Sequence, residues 1–182
     1  MSAPLAPDLG VDPQARTRLW PRIGAGWGLV GVILIIGDAI ARVWPYTRDG
    51  LRHGLSAPQW LVLVVWVAAM VVGEGYRGFQ KRFAPRVATR GVALLRQGRG
   101  IDLVLAPFYC MGYFHAPRRQ IISSWSLTLG IVGLILLVRT FDQPWRGIVD
   151  AGVLAGLAYG LVAIIACAIT AVRRPGQPVP SA

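Results

Sequence analysis

Apolar positions along the chain collect into four long blocks, roughly residues 23–43, 58–76, 120–138 and 148–172, with basic residues gathered between them. Each block matches the ~20 apolar residues that carry a helix across a hydrocarbon core. A run of that length keeps no polar face for water, so it reads as a membrane span. The expected architecture is an all-α membrane protein of four transmembrane helices. They form one domain over residues 20–172, between tails 1–19 and 173–182 that lack an apolar period and are expected to be disordered.

The segment between the second and third blocks, 78–119, follows a different pattern. Pro85 can open a helix, and Gly98 and Gly100 can close it. Val87, Gly91, Leu94 and Leu95 share one face of that helix. Arg82, Arg86 and Arg90 recur at i, i+4 and i+8 on another. The pattern predicts a cytoplasmic amphipathic helix in the interface plane, with its arginines on anionic headgroups or serving topology alone. Residues 101–117 then hold an apolar stretch too short to span and broken by Pro107 and Gly112. It is predicted as a short half-inserted hairpin.

Charge sets the orientation. With the N-terminus inside, fourteen of the nineteen Lys and Arg residues fall on the cytoplasmic side and five outside. Cationic loops stay in the cytoplasm, so a bacterial cytoplasmic (inner) membrane with both termini inside is expected. Trp20 and Trp125 would mark the inner interface, and Trp44, Tyr46, Trp60 and Trp145 the outer one. Trp66, in mid-span, reads as a packing residue. The net charge of +11 suits anionic lipid better than nucleic acid, because the basic residues sit at the ends of apolar runs and not on a soluble face. Arg16, Arg18 and Arg22 ahead of an apolar run, with Ala39-Ile40-Ala41 beyond it, resemble a signal peptide. The long apolar run and Asp38 within the cleavage motif favour a retained helix.

Small residues outline packing faces. Gly152, Gly156 and Gly160 lie four apart in the last span, with Ala163 and Cys167 continuing the stripe. Gly24, Gly28 and Gly31 share a face of the first, and Ser123, Ser126, Gly130 and Gly133 a face of the third. Such stripes let backbones approach closely, inside the bundle or in a homo- or hetero-oligomer. Gly26, Gly28 and Gly31 also match a dinucleotide fingerprint, but no strand precedes them.

Ionisable residues within spans are the candidates for chemistry. Asp38 falls on the Gly24, Gly28, Gly31 face, about 9 Å below Trp44 along the helix. Arg42 lies at i+4, and Arg139 and Asp150 end the third span and begin the fourth. These four are expected to form one intramembrane polar cluster. Glu74 is expected to pair near the interface with Arg77 and Lys81. His53 and His115 lie on opposite sides of the membrane, and the two cysteines, Cys110 and Cys167, read as free thiols. No catalytic set, cofactor box or metal-ligand spacing stands out, so neither cofactor nor metal is expected and catalysis is disfavoured. The expected function is that of an accessory, assembly or complex-associated membrane subunit. The alternative is a small ion or solute transporter or channel using Asp38 and the 101–117 hairpin.

Overall fold

The computed structural model describes residues 19–52, 54–97 and 104–173. Most of the two expected tails, His53 and the helix-closing Gly98 and Gly100 lie outside the described residues. Among the described residues six α-helices follow one another: α1 Leu19–Arg52, α2 Ala57–Met70, α3 Ala84–Gln97, α4 Ala106–Met111, α5 Arg118–Val138 and α6 Trp145–Arg173. A π-helical stretch, Val71–Phe83, joins α2 to α3 without a break. No strand occurs among the described residues. Four segments are long and apolar enough to cross a membrane: Ile23–Arg52, Ala57–Leu94, Arg118–Val138 and Trp145–Ala171. The chain is a multi-pass, all-helical membrane protein.

Two boundaries differ from expectation. Helix α1 does not end near Val43 but runs on through Pro45 to Arg52. Pro45 donates no N–H to the preceding turn. Packing beyond it compensates: Thr47 is buried, and Gly50 meets the backbone of Gly147 at the start of α6. The second difference lies after the second span, where no loop precedes Pro85. The π-helical turns use i→i+5 bonding, as in Ala84 N–H to the Phe79 carbonyl, and carry the helix past the proline. Helix α3 therefore does not begin as a separate interfacial helix. It continues the second span and buries Ala84, Val87 and Leu94 in a core that also includes Leu29 of α1 and Ile164 of α6.

Helices α2 and α6 run in the same direction and mesh through glycines. Trp66 fills the space over Gly152, Met70 and Glu74 that over Gly156, and Phe79 that over Gly160. In return Tyr159 covers Gly75. Trp66 also donates its Nε1 proton to the Val149 carbonyl at 3.1 Å. The α6 stripe is thus occupied from within the chain. Helix α1 runs antiparallel to α6 and closes the bundle.

Helix α5 stands apart. Residues 129–137 are exposed on every face, and a side chain added at Gly130 or Gly133 would meet nothing within 4 Å. Only its ends are tied. Near the start, Ser124 Oγ donates to the Met111 carbonyl at 3.0 Å, and Tyr113 bonds Thr128 and packs edge-on against Trp125. Past the far end, Gln143 Nε2 donates to the Tyr46 carbonyl and to Asp49 Oδ2 of α1, each at 3.3 Å. The predicted small-residue face of α5 therefore takes no part in the bundle along its middle.

Candidate functional site

The residues expected to form the hairpin, 104–117, fold as the short helix α4 and a following turn between the second and third apolar segments. Leu105 precedes α4, Pro107 occupies its first turn, and Gly112 ends it in the left-handed conformation at φ 85°. Ala106, Pro107 and Cys110 make the buried face. That face seats on the glycines of α1: Pro107 covers Gly31, while Ala106 and Cys110 cover Gly28. The narrow face read from Gly24, Gly28 and Gly31 thus receives the hairpin and not another span. On the other side Val104 and Phe108 are exposed.

Arg90 locks this arrangement. Its Nε donates to the Tyr109 carbonyl at 2.6 Å, Nη2 to Phe114 at 2.8 Å and Nη1 to His115 at 3.2 Å. The guanidinium also lies over the Tyr109 ring, 4.1 Å from its centre. The Tyr109 carbonyl, in the last turn of α4, also accepts from the Gly112 N–H at 3.0 Å, while Phe114 and His115 lie just past the helix; a planar fork of donors suits such a set of oxygens. Arg90, expected with Arg82 and Arg86 as a contact for anionic lipid, commits its donors to the hairpin instead. The sequence offers no spacing signal for this, because the partners lie 19 to 25 residues away. Arg82 is exposed. Arg86 is half-buried and lines a cavity of about 30 Å³ with Phe83, Met111, Tyr113, Ser123 and Ser124. That volume holds about one water molecule.

The four-charge cluster divides in two. Arg42 Nε donates to Asp38 Oδ2 at 2.6 Å, while Arg146 Nε lies 3.8 Å from Asp150 Oδ2. Arg146 also stacks on the Tyr46 ring at 3.9 Å. Arg139 is exposed at the end of α5. Register explains the division. Helices α1 and α6 cross at Gly50 and Gly147, so Asp38 lies roughly 18 Å from that level and Asp150 about 4 Å. Arg146, one turn before Asp150 on the same helix, takes the place expected for Arg139.

Asp38 sits near the middle of the Ile23–Arg52 span. Its side chain is 60% exposed and that of Arg42 is 77% exposed. The expectation that Asp38 points into the bundle needs correction. At about 100° per residue Asp38 lies within about 20° of Gly31, so the face was read correctly. The hairpin covers that face only as far as Gly31, however, and α5 stands away from it beyond. The pair therefore lies open on the side of α1 between the hairpin below and Gln143 above.

Glu74 is exposed, and Lys81 sits over the Tyr76 ring at 4.7 Å and not on Glu74. The wider π-turns shift the i+3 and i+7 positions away from a shared face. The Cys110 side chain is fully buried, and burial pushes its thiol up to about 12 against the pull of nearby Arg90. Among the described residues no three His, Cys, Asp or Glu side chains are grouped to hold a metal ion. Comparison with protein-family models, curated proteins and solved structures finds no match to the chain.

Proposed function

We propose that this chain is an accessory or assembly subunit of a bacterial cytoplasmic-membrane complex, with both termini and the basic 78–119 segment inside the cell. The observation that carries the reading is helix α5. It is held at both ends, yet residues 129–137 are exposed, and a side chain added at Gly130 or Gly133 on its small face would meet nothing within 4 Å. Membrane helices associate through such faces, because lipid supplies no hydrophobic force between them. A helix of another protein fits there. Exposed Arg82 and half-buried Arg86 add contacts for anionic headgroups at the cytoplasmic face.

Native purification from mildly solubilised membranes tests the reading. A second protein should co-purify with the full chain and be lost from Gly130→Trp and Gly133→Trp variants, which have open space for the new side chain. A chain that purifies without another protein overturns it. A C-terminal reporter that reads outside the cytoplasm overturns the orientation.

The open Asp38–Arg42 pair favours a second reading, transport of an ion or small solute along the gap between α1 and α5. Flux into liposomes that Asp38→Asn abolishes would establish it, and equal flux from both proteins would reject it.

A further inference from the structure

The exposed charges on α1 have a partner surface of their own chemistry. An ion pair near mid-span, facing outward, is costly in hydrocarbon even when its members neutralise each other. Arg42 uses Nε for Asp38, and none of the described residues accepts from its Nη nitrogens. One turn above, Pro45 supplies no N–H, so the Ala41 carbonyl loses its helical donor. A carboxylate, the far end of a guanidinium and a carbonyl without its i+4 donor thus lie within about one turn of one another on α1.

The residues around them form a seam. Trp27, Val30, Leu34, Asp38 and Ala41 are all exposed and follow one another at spacings of three or four. Spacings of three and four keep these exposed side chains along one side of the helix, and a polar position within a helix–helix contact fixes its alignment. Ala41, beside the charges, leaves room for close approach.

We propose that a second copy of this chain covers the face, through a two-fold contact of α1 against α1 centred on Asp38 and Arg42. Both copies share one orientation in the membrane, so the two-fold axis runs along the membrane normal and the helices lie parallel. Asp38 of each copy then faces its counterpart, with each Arg42 one turn above. Each guanidinium keeps its own Asp38 on Nε and turns Nη toward Asp38 of the second copy. Four charges of alternating sign close into a ring. A two-fold contact requires a self-complementary patch, and an acid and a base one turn apart on the same face supply it. A helix of another protein would have to bring a matching acid and base at the same depth; a second copy brings them by identity. The contact lies on α1, away from the α5 surface assigned to a different protein, and stands independently of that assignment.

The test uses the full chain carrying Leu34→Cys in native membranes and in lipid nanodiscs. Under mild oxidation it should form a disulfide-linked product of twice the chain mass, and the unaltered chain should not, because Cys110 is buried and Cys167 partly so. Asp38→Arg, placed in the Leu34→Cys background, sets like charges together and should cut the product about tenfold. Asp38→Arg combined with Arg42→Asp rebuilds the ring with its signs exchanged and should restore the product. The inference is overturned by a Leu34→Cys chain that stays monomeric, by a linked product of any other mass, or by equal linking in the Asp38→Arg chain. Co-purification of another protein is scored separately. A two-fold product from a chain that purifies with no other protein sustains the dimer and removes the accessory-subunit reading.

Discussion

Arg90 joins the second membrane segment to the hairpin through three carbonyls and one aromatic ring. Lysine carries the charge but presents it as a point and cannot reach all three oxygens. Hydrogen bonds to charged groups contribute about 1.5–3 kcal/mol each. Arg90→Lys should therefore lower stability by about 2 kcal/mol, read from thermal unfolding in detergent. Arg82→Lys, on an exposed position, should stay within about 0.5 kcal/mol of the native chain. Cys110 reports on the same joint. Its thiol titrates at about 12 in the fold against 9.0 for an ordinary thiol. The folded state thus favours the neutral form; that contribution is whole below pH 9 and fades as pH climbs from 9 toward 12. The thiolate is the reactive species. At pH 8, maleimide should label Cys110 about a thousandfold more slowly in the folded chain than in the unfolded one. Arg90→Ala should speed that labelling by loosening the seat of α4.

At the scale of elements, glycines that look alike in the sequence do opposite things. A methyl at Gly160 runs into the Phe79 ring, while one at Gly130 meets open space. Gly160→Ala should cost about 1–3 kcal/mol through overpacking. Gly130→Ala should be neutral or stabilise by up to about 1 kcal/mol, because alanine is the better helix former. Unfolding in graded denaturing detergent would compare the two directly. The spans themselves were legible, since a run of apolar residues has few other places to go. Their ends were not. Pro45 and Pro85 read as boundaries by local rules, yet α1 passes the first and the π-helical turns carry the chain past the second. Contacts decided both, and contacts between distant residues leave no mark on local pattern. Gly28 and Gly31 were recognised as a packing face, but the hairpin that fills it could not be told from a neighbouring span.

At the scale of the whole molecule, the chain around α5 is joined to the rest at two places, to the Met111 carbonyl near its start and to the upper part of α1 past its end. Gln143 makes the second of these joints. It donates to the Tyr46 carbonyl and to Asp49, and it accepts from the Gly147 N–H at 3.0 Å. Gln143→Ala should free that joint at a cost of about 1–2 kcal/mol, and a protease added to the detergent-solubilised chain should cut the 139–146 turn sooner than in the native chain. The expected meeting of Asp38 with Asp150 failed at this same scale. Asp38 lies late in the apolar block 23–43 and Asp150 early in the block 148–172, which suggests one level, but only the Gly50–Gly147 crossing reveals how far apart in height they are.

The parallel pairing of α2 with α6 also bears on how the protein is made. Trp66 finds the Val149 carbonyl 83 residues later in the chain. At about 5–20 residues per second a ribosome needs about 4–17 s to supply it. During that interval the groove around Trp66, Met70 and Phe79 has no permanent occupant, and nascent α2 must wait beside lipid or insertion machinery until the last helix emerges.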